Sequence, residues 1–144
     1  MIAGAIGPGF GLGGKVGASG AILMLEGEGE YTFTKSLSAV GDLSLGLAGT
    51  KPVRLAGGAR YRLAGLDLPV SPFAQAELTF GRLYGVLNAN LNYWGLRLGG
   101  GADYMVTAKI SAGGLLAYTL ARTFGDRPSY YGTLDVLAYG RYTF

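Results

Sequence analysis

The chain has 144 residues, 49% of them apolar and only 15% charged, with a net charge of +3. Charge this sparse, set against roughly 25% in typical soluble domains, accompanies 27 glycines, five prolines and plentiful aromatics, which excludes a disordered Gly/Pro-rich chain. The scattered basic residues give no nucleic-acid footprint, and a sequence with neither cysteine nor histidine has no disulfide framework, thiolate metal site or imidazole chemistry.

Eight segments alternate with the two-residue period of a β-strand, which sends successive side chains to opposite faces. The first is expected at Gly9–Ala18, with Phe10, Leu12, Val16 and Ala18 opposite Lys15. The second, Ile22–Phe33, contains "EGEGEYTF": Glu26, Glu28 and Glu30 share one face, and Tyr31 and Phe33 end the other. Leu37–Gly49 sets leucines against Ser38, Asp42 and Ser44, and Val53–Leu63 sets Val53, Leu55 and Tyr61 against Arg54, Arg60 and Arg62. Pro72–Gly81 opposes Leu78 and Phe80 to Gln75, Glu77 and Thr79. In Trp94–Val106, Trp94, Leu96, Leu98 and Tyr104 oppose Arg97 and Asp103; in Ile110–Leu120, Leu116, Tyr118 and Leu120 face away from Ser111 and Thr119. The last segment, Tyr130–Phe144, carries Tyr130, Leu134, Val136, Tyr142 and Phe144 opposite Thr133, Asp135 and Arg141. The weakest boundaries are Ser19-Gly20 and Arg82–Tyr93.

On this register one face collects seven of the nine acids (Glu26, Glu28, Glu30, Asp42, Glu77, Asp103 and Asp135) and seven of the twelve bases (Lys15, Arg54, Arg60, Arg62, Arg97, Lys109 and Arg141). Arg82 and Arg122 fall in turns or at strand ends. The other face is nearly uncharged. "VGASGAILML" is too short and too glycine-rich for a spanning helix, which needs about 20 apolar residues, and the N-terminus has no signal-peptide pattern. One domain spanning 1–144 is expected.

Two architectures share this alternation. A soluble lipocalin-like barrel turns the apolar face inward, and a membrane barrel turns it toward lipid. Low total charge favours the second, as do interior glycines that relieve crowding in a narrow lumen. Aromatic placement agrees. Tyr31, Phe33, Tyr61, Tyr104, Tyr142 and Phe144 gather at one rim, and Phe80, Trp94, Tyr118 and Tyr130 lie toward the other, like the girdles of two bilayer interfaces. The expected fold is all-β: an eight-stranded antiparallel up-and-down transmembrane β-barrel with a polar lumen and an apolar, lipid-facing exterior.

"GEGEYTFTKSLSAVGDLSL", "GGGADYMVTAKISAGG" and the final "YTF" resemble the small bacterial outer-membrane β-barrels of the OmpA/OmpX type. The resemblance lies in pattern and covers essentially the whole chain. It implies an outer-membrane location, with any signal peptide removed before this numbering begins, and lipid bilayer and assembly machinery as partners. It also implies that Tyr142 and Phe144 serve as the assembly signal. Unlike full-length OmpA, the chain is expected to carry no second, cell-wall-binding domain after the barrel, and its predicted loops are shorter than those of adhesive members, which argues against an adhesin role.

The lumen charges are expected to form a mutually paired network, since an unpaired buried ion is expensive and eight strands leave an interior just wide enough for side chains. A gated ion path, or a carboxylate site for a cation such as Ca²⁺ at Glu26, Glu28 and Glu30, is the sharper alternative. "GFGLGG" and "LGGGAD" precede no helix and lack the Lys-Ser/Thr of a phosphate loop. Barrel enzymes of the outer membrane resemble one another in relying on histidine, so no catalytic residue and no cofactor is expected. The leading function is a non-enzymatic structural or anchoring barrel; a narrow pore and a soluble binder of an apolar ligand are the alternatives, and an unidentified protein partner is left open.

Overall fold

The computed structural model describes residues 1–14, 20–48, 51–63, 69–86, 89–124 and 128–144. Eight strands follow one another around a closed barrel: β1 (Ile2–Gly14), β2 (Gly20–Thr32), β3 (Leu37–Ala48), β4 (Lys51–Arg62), β5 (Val70–Val86), β6 (Ala89–Met105), β7 (Ile110–Thr123) and β8 (Tyr130–Thr143). Each pairs antiparallel with its sequence neighbours, and β1 closes the ring by pairing with β8 from Ala3↔Thr143 to Gly14↔Gly132. Closure leaves no sheet edge with unpaired backbone groups, which is what allows a β-structure to sit in hydrocarbon.

Alternation fixes the polarity of the wall. Leu55, Leu78, Leu98, Leu116 and Val136 are exposed on the outside, while Arg60, Glu77, Arg97 and Asp135 are almost fully buried within. This is the reverse of a lipocalin-type soluble barrel.

The first strand departs from expectation. It begins at Ile2 rather than Gly9, because its inward positions are Ala3, Ala5, Gly7, Gly9 and Gly11, residues too small to give a legible pattern. Lys15, Val16 and Ala18 lie outside the described residues. The Arg82–Tyr93 boundary also moves, with β5 running to Val86 and β6 starting at Ala89. The polarity inverts at this end: Arg82 and Tyr84 point outward while Leu83 and Tyr93 are buried inside, which disguises the strands as a loop. Arg122 likewise lies within β7 and faces outward.

Two turns at the terminus-bearing end are built alike. Thr34 Oγ1 accepts from the Leu37 amide (3.0 Å), and Thr107 Oγ1 accepts from the Ile110 amide (3.0 Å). Such a hydroxyl completes a tight turn by satisfying its backbone donors. The second turn carries Lys109 to the exposed surface and out of the lumen set.

Candidate functional site

β2 supplies Glu26, Glu28 and Glu30 at two-residue spacing, β4 supplies Arg54, Arg60 and Arg62, and single charges enter from β3, β5, β6 and β8. Opposite them, β1 contributes no bulk. A Cβ on Gly11 would sit 3.0 Å from Asp135 Oδ1 and from the Met24 methyl, so the glycine makes room for the charged layer. Twelve of the fourteen charges expected on the lumen face converge inside the barrel; Lys109 lies on the exposed surface, and Lys15 lies outside the described residues.

They form two groups. Toward the termini, Glu28, Glu30 and Asp103 meet Arg60, Arg62 and Arg141. Arg60 Nη1 donates to Glu28 Oε1 (2.8 Å) and Glu30 Oε2 (2.9 Å), and its Nε donates to Gln75 Oε1 (2.9 Å). Arg141 donates to Glu30 (2.8 Å), Asp103 (2.9 Å) and Glu28 (2.9 Å). Arg62 pairs with Glu30 and, at 3.2 Å, with Asp103. Three carboxylates face three guanidiniums here. The pairs are charge-assisted and partly forked, the strong kind of hydrogen bond.

Deeper in, Glu26, Asp42, Glu77 and Asp135 meet only Arg54 and Arg97. Arg54 bridges Asp135 (2.6 Å) and Glu26 (2.8 Å), and its Nη2 also reaches Ser44 Oγ at 2.9 Å. Arg97 Nη1 donates to Asp42 (3.1 Å), Glu77 (3.1 Å) and Glu26 (3.3 Å). Gln75 joins the two groups by donating to Glu77 Oε2 at 3.0 Å. Among the described residues the lumen thus holds seven carboxylates and five guanidiniums, not seven of each, and the excess negative charge sits in the inner group. Glu77 Oε1 and Asp135 Oδ1 have no hydrogen-bond partner there.

Apolar residues close what the charges leave. Leu83, Tyr93, Ala121 and Tyr131 pack together at the end remote from the termini, with the two tyrosine rings edge to face at 5.1 Å. Phe73, Leu115, Ala117 and Leu137 line one wall, and the Arg60 guanidinium lies 4.2 Å from the Phe73 ring centre. Tyr139 donates to Asp103 Oδ1 at 2.7 Å. Sequence reasoning missed Phe73, Tyr93, Tyr131 and Tyr139. Their parity, shared with Glu77, Arg97, Asp135 and Arg141, was the available signal. A vestibule of about 330 Å³ opens at the terminus-bearing end, bordered by Glu30, Arg62, Asp103 and Arg141. No group of three or more acidic side chains among the described residues has the arrangement of a metal site, Glu26, Glu28 and Glu30 included.

The ten predicted belt aromatics all point outward. Tyr31, Tyr61, Tyr104, Tyr142, Phe33 and Phe144 ring one end, and Trp94, Phe80, Tyr118 and Tyr130 lie toward the other. Tyr142 and Phe144 contact edge to face at 5.0 Å, as do Tyr31 and Phe33 at 5.1 Å.

A closed barrel with an apolar, aromatic-girdled exterior and a charged interior has the architecture of a transmembrane β-barrel. No protein-family model matches the sequence, and none of the curated proteins matches it. Among solved structures, Neisserial surface protein A is similar at 16% identity with a TM-score of 0.80, over 99% of this chain and 97% of that one. The N-terminal β-barrel domain of Pseudomonas aeruginosa OprF follows at 13% identity and a TM-score of 0.60, over 96% of each chain. Ail, the attachment invasion locus protein of Yersinia pestis, is 13% identical with a TM-score of 0.54, over 98% of this chain and 97% of that one. The fold is that of the small outer-membrane barrels of the OmpA/OmpX type.

Proposed function

We propose that this chain is a non-enzymatic integral outer-membrane barrel with a structural or anchoring role, its lumen closed by the arginine–carboxylate network. The observation that carries this reading is the complete burial of Arg60 and Arg97 inside the barrel, each at 0% exposure and each bonded to carboxylates from other strands. Beyond them Leu83, Tyr93, Ala121 and Tyr131 pack together inside the barrel and narrow its bore. A sequence without histidine or cysteine supports the absence of catalysis.

In this reading the aromatic girdles anchor the barrel at the two interfaces, and Tyr142 with Phe144 forms the signal read during assembly. The lipid bilayer is the constant partner. Ail is named for attachment and invasion, but here only two residues separate β3 from β4, and only two separate β5 from β6, which leaves little loop for an adhesive surface.

The vestibule of about 330 Å³ favours a second reading, a narrow conduit entered from the terminus-bearing end. Planar-bilayer recording separates the two. A closed lumen gives no steady conductance from the purified wild-type protein. A large, stable conductance would refute closure and favour the conduit.

A further inference from the structure

Every ion pair among the described residues uses one of the five lumen arginines. Two other arginines stand on the outside of the wall. Arg82 on β5 and Arg122 on β7 are exposed, charged side chains that a strand presents outward. A guanidinium facing hydrocarbon is costly near the bilayer midplane but tolerated at the interface. Both sit in the belt remote from the termini, where the cost is least.

The two are also brought together. Arg82 pairs across strands with Asn92, and Arg122 with Trp94, two residues further along the intervening β6. With strands ~4.8 Å apart and ~3.4 Å per residue, their Cα atoms lie within roughly 12 Å, and two arginine side chains easily span that gap. Each is braced on a tyrosine: the Arg82 guanidinium lies 5.4 Å from the Tyr84 ring centre, and that of Arg122 lies 5.9 Å from Tyr130. Beside Arg122 a cleft of about 280 Å³ opens outward, lined by Trp94, Arg122, Thr123, Phe124 and Pro128.

We infer that Arg82 and Arg122 form a binding site on the barrel's outer wall for the phosphate of a lipid headgroup. The guanidiniums offer forked donors matched to phosphate oxygens. Trp94, Phe124 and Pro128 offer an apolar floor for the part of the lipid just below the phosphate. A lipid meets both at once, because its phosphate lies at the interface and its chains run along the wall. The site rests on the bilayer reading above.

Trp94 is the only tryptophan in the chain and pairs directly with Arg122, so it reports on the site. The barrel is reconstituted into phosphatidylcholine vesicles containing a minor fraction of phosphatidic acid, with bromine on the acyl chains of one lipid or the other. The expected result is selective quenching of Trp94 by brominated phosphatidic acid, with a preference of about 25-fold over phosphatidylcholine, given about fivefold for each of the two arginines at a membrane surface. Arg82→Gln with Arg122→Gln removes the preference, and Arg82→Lys with Arg122→Lys retains only part of it. Heat-modifiable gel migration confirms that each variant is folded. Equal quenching by both brominated lipids overturns the site alone. Quenching by neither refutes the bilayer reading and the site with it. Loss of the preference on adding millimolar inorganic phosphate would overturn a lipid site in favour of a free-phosphate site.

Discussion

Arg97 and Asp42 offer the sharpest test of the lumen, because the same ion pair has two very unequal ends. Arg97 Nη1 donates to Asp42, Glu77 and Glu26 at 3.1 to 3.3 Å. At charge separations near 4 Å and an effective dielectric constant of about 20, each contact is worth ~4 kcal/mol before desolvation. Replacing Arg97 with Met recovers the guanidinium's desolvation but leaves four carboxylates with Arg54 alone. Breaking a buried pair in this way costs roughly 3–5 kcal/mol. Asp42→Asn loses one attraction of ~4 kcal/mol. It also relieves a repulsion, because Asp42 Oδ2 and Glu77 Oε2 share one donor at 3.1 Å each and so lie no more than about 6 Å apart. At that distance the repulsion is worth ~3 kcal/mol. Asp42→Asn is therefore expected to be neutral within ~1 kcal/mol, or stabilising. In the Arg97→Met background it should restore part of the loss, since the two sites share partners and are not additive. Urea unfolding in vesicles, followed by Trp94 fluorescence and heat-modifiable migration, measures all three variants. An Asp42→Asn cost equal to that of Arg97→Met would show that the inner carboxylates are not in excess, and would refute the charge count.

Arg60→Ala with Arg62→Ala empties volume beside Glu28 and Glu30 and leaves both short of partners, so bilayer recordings should show brief small openings and the barrel should unfold at lower urea; silence and unchanged stability would count against the seal. Gly58→Val should abolish heat-modifiable folding, because its Cβ would overlap the Ala76 carbonyl, whereas Gly29→Val, with nothing within 4 Å of its Cβ, should fold normally. Phe144→Ser should slow insertion by the reconstituted assembly machinery while leaving spontaneous folding in detergent unchanged; equal slowing in both would make Phe144 a packing residue rather than a signal.

The barrel was legible wherever a strand alternates a large apolar residue with a charged one, as β2, β4 and β8 do. It was illegible where size rather than polarity carries the message. β1 alternates Ile2, Ile6 and Pro8 with Ala3, Gly7, Gly9 and Gly11, a pattern of bulk outside and near-absence inside, which a hydrophobicity reading does not register. Around Arg82–Tyr93 the ordinary polarity runs backward, because beyond the hydrocarbon a barrel wall can show charge outward while its end must be plugged with Leu83 and Tyr93. The lumen site followed the same division. Its twelve charged residues were found by parity, but parity gives no positions along the axis, so the balanced group around Arg60 and Arg141 could not be told from the unbalanced one around Arg97. Strand tilt makes that difference. Glu26 is paired with Ser44 and Gly7 on its neighbouring strands, yet its carboxylate meets Arg54 and Arg97 across the bore. Partners two to four strands away are set by closure of the ring, a property of all eight strands together that no single segment carries.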